Sequence, residues 1–404
     1  MSHIENIDVT FNPASVAAFG ELLCAALTPQ YQGTFEYTVD NTELNTNTVA
    51  NGGTVTQATA KALVGTSITT ASTAMLQSKQ HAKYRSGFGG LARFTAMFTT
   101  PVALTDQFVG IMDTTGGAPF KNGLGVGYNN GTTFGFHRWA NGSINTVAQS
   151  AWDDPMDGTG DSGMTLDQTK LNVFQIRFQF LGAGAIQLFI ESDTTGGFVL
   201  AHTIHFTNQN TLPSSYNPNY HHTIYVDNKA TVSDLVVSAS SYAYFIEGKT
   251  MLKELHQPQF STGLQQQTTV TTETAIVTIR NKSSYASKTN YIDLFLELIF
   301  GSIEANSANN LGSIRLVKNA TLGGTPAYTD INTTDSVVDF DVAGTTVTGG
   351  KTLFSLPLAG KNDRVFQDVT KFNIILNPGE WITMAGTSAN SATIEAGFLW
   401  KELF

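Results

Sequence analysis

The stretch VFQIRFQF, Val173 to Phe180, decides the fold. Phe174, Ile176, Phe178 and Phe180 alternate with Gln175, Arg177 and Gln179, a period of two that sends apolar residues to one face of an extended strand and polar residues to the other. A strand of that kind is half-buried in an antiparallel sheet. Similar runs occupy Ala92 to Phe98, Gln107 to Met112, Ala185 to Glu191, Phe198 to Phe206, His222 to Val226 and Asp234 to Ser238. Turn-rich gaps such as Asp193-Thr194-Thr195-Gly196-Gly197 separate them. Many short strands without intervening helices predict an all-β chain of sandwich or jelly-roll type.

A chain of 404 residues exceeds what one core of at most about 250 to 300 residues can hold, so two domains are expected. The break falls at GKTMLKEL, Gly248 to Leu255, which reads as a short helix, followed by the polar stretch Gln257 to Thr269. A second β set follows, from Ala275 to Arg280 through Tyr291 to Ile303 and on to Ala392 to Trp400. The expected organisation is an N-terminal arm over 1–60, a β-sandwich over 61–245, a linker over 246–266 and a smaller jelly roll over 267–404. The arm is read from a helix at Ala14 to Ala26 and a Thr/Asn tract, Thr38 to Thr59, with little apolar content.

Charged residues make up 13% of the chain, and hydroxyl, amide and 37 glycine residues fill the polar positions. A net charge of −10 without a basic run argues against a nucleic-acid partner, which would require clustered Lys and Arg. No run of about 18 apolar residues is present, so no membrane partner is expected. The start has no basic segment leading into an apolar run and is read as carrying no secretory address. Cys24 is the single cysteine, which excludes an intramolecular disulfide and multi-cysteine zinc sites. An exterior-type surface without disulfides fits a protein assembled in a reducing compartment and exposed later.

Candidate sites are few. In YNNGTTFGFHRWANGS, Tyr128 to Ser143, Asn129-Asn130-Gly131 is a hairpin turn. Beyond it Phe134, Phe136 and Arg138 share one face, and Gly135, His137 and Trp139 share the other. If the phenylalanines are core, His137 and Trp139 look outward, and with Arg138 they form a candidate glycan-binding edge; packing under a loop or subunit is the alternative. Asp153, Asp154, Asp157 and Asp161 surround Gly158-Thr159-Gly160-Asp161-Ser162-Gly163. Their charge repels the pyrophosphate that the glycine spacing would otherwise suggest, and they are a candidate calcium loop or an ordinary acidic loop. No other cofactor is expected. His202 and His205, three apart on a strand, point to opposite faces and make no metal face. Glu191-Ser192-Asp193 resembles part of a paired-carboxylate hydrolase motif, but Thr195 stands where a second glutamate would be needed.

Several strings resemble virion surface proteins of tailed bacteriophages and large DNA viruses: AFGEL at Ala18 to Leu22, STAMLQSKQHAKYRSGFGGLARFTAMF at Ser72 to Phe98, YNNGTTFGFHR, and WDDPMDGTGDSGMTLDQTKLNVFQI at Trp152 to Ile176. The resemblance implies a concanavalin-like β-sandwich. The strings RNK at Arg280 to Lys282, LVKNATLGGTP at Leu316 to Pro326 and LNPGEW at Leu376 to Trp381 are similar to jelly-roll modules of fibres, spikes and decoration proteins. They imply a homotrimer associated with other capsid proteins. The expected function is a non-enzymatic virion structural protein that adheres to host surface glycans. The alternatives are a tail receptor-binding or adaptor protein, and a lectin or glycan hydrolase. Asp161 stands where the group usually has proline, a departure that favours an ion or a mobile loop.

Overall fold

A computed structural model describes residues 26–41, 43–113, 120–249, 256–305, 310–360 and 362–404. The chain divides into two compact units, Met1–Thr250 and Met251–Phe404. Both are all-β, and no α-helix occurs among the described residues. The helices expected at Ala14 to Ala26 and Gly248 to Leu255 lie essentially outside those residues, as does Cys24.

The first unit begins with β1 (Leu27–Thr34), β2 (Asn45–Ala50), β3 (Thr54–Ala58), β4 (Lys61–Gly65), β5 (Thr73–Ala82) and β6 (Gly89–Ala96). It continues with β7 (Asp106–Met112), β8 (Gly123–Tyr128), β9 (Phe134–Ala140), β10 (Ser143–Ala148) and β11 (Asn172–Phe178). The last five are β12 (Ile186–Glu191), β13 (Phe198–Ile204), β14 (Tyr220–Asp227), β15 (Val236–Ala239) and β16 (Ser241–Glu247). A six-stranded sheet in the order β1-β16-β6-β11-β12-β13 faces a seven-stranded sheet in the order β10-β9-β8-β7-β14-β5-β2. A small sheet, β15-β4-β3, completes the unit. This is a concanavalin-like β-sandwich.

The opening stretch sits in β11 at the centre of the six-stranded sheet. Phe174, Ile176 and Phe178 are buried in the main core with Phe94, Leu76, Val109, Ile111, Val126, Phe136 and Ile224. On the other face Gln175 accepts a hydrogen bond from Arg93 Nε at 2.7 Å, and Arg177 pairs with Glu247 at 2.7 Å. The alternation in the sequence is therefore the boundary between core and surface.

The arm expected over 1–60 is corrected by the strands it contains. Residues 27–34, 45–50 and 54–58 are β1, β2 and β3, and each lies at the edge of its sheet. An edge strand is held by its backbone ladder on one side and needs few apolar side chains, so polar NTNTVA pairs with β5 from Asn45↔Ser78 to Ala50↔Thr73. The linker expected over 246–266 is corrected similarly: β16 runs to Glu247, and Gln259–Ser261 and Gln265–Val270 pair with the strand Ala392–Leu403.

The second unit is a jelly-roll sandwich. One sheet runs Gln259–Ser261, Ala392–Leu403, Asp293–Ala305 and Arg364–Asp368, and also takes Gln265–Val270 and Ile375–Leu376. The other runs Thr329–Asp330, Val338–Asp341, Thr274–Asn281, Trp381–Ser388, Leu311–Lys318 and Lys351–Ala359. Its own core gathers Trp400, Phe398, Ile382, Met384, Ile279 and Leu296.

Candidate functional site

The site is built on the face of the seven-stranded sheet that points away from the main core. In β8, GLGVGY, Leu124, Val126 and Tyr128 join the core, so Gly123, Gly125 and Gly127 point the other way. Gly125 pairs with Gly110 of β7 and His137 of β9, and Gly127 pairs with Phe108 and Gly135. Four neighbouring glycines leave a trough without side chains. Large neighbours lean into it: a Cβ on Gly125 would collide with Met112 Cε and sit in ordinary contact with the Trp139 ring. Gly127 has a φ of 147°, and a Cβ there would strike the Gln107 carbonyl.

Phe108, Met112, Phe120, Trp139 and Tyr225 form a second apolar cluster on this face, distinct from the sandwich core. Phe108 and Tyr225 lie nearly parallel, 6.4 Å apart, and Trp139 stands edge-on to Phe108 at 5.1 Å. Phe120 stands edge-on to Trp139 at 5.5 Å and to Tyr225 at 5.3 Å. These four rings line a cavity of about 320 Å³ together with Asp106, Asn129, Asp227 and Lys229. That volume falls within the range of small-ligand sites, roughly 300 to 1,000 Å³.

The polar wall is ordered by the strand register. Asp106 and Phe108 on β7 stand opposite Asp227 and Tyr225 on β14, so two carboxylates and two rings line one side of the site. Asp106 Oδ1 accepts from Lys229 Nζ and from the Asn130 backbone N–H, each at 2.7 Å. Asp227 Oδ1 accepts from the Lys229 backbone N–H at 2.7 Å, and its Oδ2 accepts from the Tyr225 hydroxyl at 3.0 Å. Burial pushes the Asp106 carboxyl above its ordinary range, against the lowering influence of Lys229 and Asn130. Burial and the neighbouring Asp227 raise the Tyr225 hydroxyl, which stays protonated and donates.

The structure separates the three hairpin residues expected to act together. Phe134 and Phe136 are core, as the alternation requires, and His137 and Trp139 lie on the opposite face, but that face is covered. His137 is fully buried: Nε2 donates to the Gly127 carbonyl at 3.0 Å, and Nδ1 accepts from the Thr146 hydroxyl at 3.0 Å. Burial pushes its pKa down to about 4. Arg138 points to the other side, donates to the Ser214 carbonyl at 2.8 Å and lies over the Phe206 ring. Only Trp139 lines the cavity, at 2% exposure.

The acidic loop does not converge either. Asp154 accepts from the backbone N–H groups of Met156 at 3.1 Å and Ser162 at 2.8 Å. Asp157 accepts from the backbone and hydroxyl of Thr159, and Asp153 accepts from the Thr203 backbone at 2.8 Å and pairs with His202 at 3.3 Å. Asp161 is exposed. The carboxylates shape turns, and among the described residues no group of three or more His, Cys, Asp or Glu is arranged to hold a metal ion. Glu191 belongs to β12 in the other sheet, away from the aromatic cavity.

Phe108, Phe120, Tyr225, Asp106, Asp227 and Lys229 escape the sequence reading. Two signals mark them: alternate glycines in a strand, and the spacings Asp106-x-Phe108 and Tyr225-x-Asp227, each of which puts an acid and a ring on one face.

No protein-family model matches the chain, and no curated protein does. Among solved structures it is similar to a prokaryotic β-1,3-1,4-glucanase (lichenase) from a mouse hindgut metagenome, at 11% identity and a TM-score of 0.36 over 53% of this chain and 97% of that one. It is similar to the catalytic domain of an endo-1,3-β-glucanase (laminarinase) from Thermotoga petrophila, at 10% identity and a TM-score of 0.40 over 56% and 100%. The carbohydrate recognition domain of Emp46p is similar at 8% identity and a TM-score of 0.35, over 54% and 96%. At such identities the likeness concerns the fold alone. One expectation is corrected: the sequence reads as non-enzymatic, whereas the solved structures similar to the chain include glucanases.

Proposed function

We propose that the first unit binds carbohydrate in the cavity beneath Trp139. The observation that carries this reading is the meeting of four aromatic rings with Asp106, Asn129, Asp227 and Lys229 around one cavity of about 320 Å³. A sugar offers apolar C–H faces to rings and hydroxyls to carboxylates, amides and ammonium groups, and this lining supplies both. Glycan-array screening of the full chain followed by calorimetry tests it. Asp227→Asn is expected to weaken binding by about tenfold, the loss of one charged hydrogen bond, without moving the melting temperature by more than a few degrees. Trp139→Phe is expected to weaken it less. Absence of binding to every glycan, or full affinity in both variants, overturns the reading.

One observation favours a second reading, glycan hydrolysis. Asp106 and Asp227 stand directly opposite each other in the β7–β14 ladder, and burial raises the Asp106 carboxyl beside the Asp227 charge. A pair of adjacent carboxyl groups in unequal surroundings is the arrangement that glycosidic cleavage uses. Reducing-sugar release that disappears in Asp106→Asn supports this reading, and binding without release removes it.

The setting proposed is the surface of a virion, as fibre, spike or decoration, where such a site would adhere to host glycans. That setting rests on the sequence strings at Ser72 to Phe98 and Trp152 to Ile176. Antibody labelling of purified particles checks it, and absence of the chain from particles overturns it.

A further inference from the structure

We infer that the group seated in the aromatic cavity is a cation, the protonated amine of a de-N-acetylated amino sugar. The inference rests on the carbohydrate reading of this same site and adds the ligand's charge. Phe108 and Tyr225 are stacked with planes 8° apart and centroids 6.4 Å apart, and Trp139 and Phe120 stand edge-on, at 86° to Phe108 and 80° to Tyr225. Ring faces carry the negative end of the aromatic quadrupole, so a cavity lined by four rings favours a positive charge over a negative one.

The carboxylates point the same way. The Lys229 ammonium lies 2.7 Å from Asp106 Oδ1 and neutralises that group. Asp227 is held by two neutral donors, the Lys229 backbone N–H and the Tyr225 hydroxyl, and forms no ion pair among the described residues. Two carboxylates and one ammonium thus leave one unmatched negative charge beside the rings. A neutral sugar leaves that charge unmatched, and an acidic sugar is repelled by it. An ammonium group meets both the rings and Asp227. Each Asp227 oxygen has a single donor from the protein, so lone pairs remain for the ligand.

The test uses the full chain and two probes of equal length, an oligomer of glucosamine and an oligomer of N-acetylglucosamine, titrated calorimetrically at about pH 6, where an amine is protonated. The glucosamine oligomer is expected to bind about tenfold more tightly. That preference should vanish in Asp227→Asn, shrink in high salt, and persist in Asp335→Asn, a control that changes the net charge equally at an exposed position of the second unit. Equal or tighter binding of the acetylated oligomer overturns the cation inference and leaves the carbohydrate reading standing. Failure of both probes and of the whole glycan array overturns both. A preference retained in Asp227→Asn, or lost equally in Asp335→Asn, overturns the assignment to this cavity.

Discussion

His137 and His222 are neutral because the protein surrounds them, not because solvent pH makes them so. His222 stacks on Tyr242 at 4.3 Å in the sandwich core, and burial lowers its pKa to about 3, as it lowers that of His137 to about 4. In the unfolded chain both return to an ordinary value of about 6.5 and take up protons at a pH where the folded chain does not. Stability is therefore complete above about pH 7 and falls as pH drops below about 6.5, toward the folded values. Asp106 and Asp113, raised by burial, act with the opposite sign and subtract from the histidine effect, which is read as a net decline over a window of about pH 7 to 5. Urea midpoints across that window should decline by an amount equivalent to about 1 kcal/mol per histidine or more, and a flat profile contradicts the account. A second residue, Gly127, permits the trough. With φ at 147° and the Gln107 carbonyl where a Cβ would go, Gly127→Ala is expected to cost about 2 kcal/mol or more in denaturant unfolding.

At the scale of the strand, period-two alternation settles which side chains enter the core and leaves open what covers the other face. Phe174 and Ile176 are legible in VFQIRFQF because burial there follows from alternation alone. Trp139 was legible as facing away from Phe136, but its cover comes from Phe120 and from Phe108 and Tyr225 on other strands, a pairing that no local pattern contains. Edge strands were illegible for the opposite reason: β2 is polar, and its ladder to β5 uses backbone groups that every sequence has. The acidic loop was legible as a cluster but not as a set of turns, because the donors to Asp154 are backbone N–H groups of Met156 and Ser162. Two expectations follow for these elements. Phe174→Ala should destabilise the chain by about 3 to 5 kcal/mol, whereas Arg177→Ala, which breaks a surface pair with Glu247, should cost about 1 kcal/mol or less. Asp154→Ala should lower the melting temperature by leaving two backbone donors unpaired, at about 1 to 3 kcal/mol, and a chelator should leave the wild-type curve unchanged. A drop in melting temperature with chelator would return the loop to calcium.

At the scale of the chain, the two units carry separate cores. In the second unit the strands Arg364–Asp368 and Lys351–Ala359 close one end of each sheet order, and both present apolar side chains there. Phe366 is 72% exposed, and Phe372, just beyond its strand, is 60% exposed with its ring 5.6 Å from that of Phe354. Unpaired strand edges that carry large exposed rings are poorly suited to water and are commonly buried by symmetric association. The chain is therefore expected to self-associate through this edge, in three copies as the jelly-roll resemblance implies. Mass photometry at micromolar concentration should show a multiple of the 43.4 kDa chain, and Phe366→Ser with Phe372→Ser should shift it to the single chain. Because both residues are exposed in the isolated chain, the double substitution should leave the fold and the aromatic cavity of the first unit intact, which an unchanged circular dichroism spectrum and unchanged glycan affinity would report. A wild-type chain that stays single at that concentration rules out self-association of this strength, and an oligomer that survives the double substitution moves the interface to another surface.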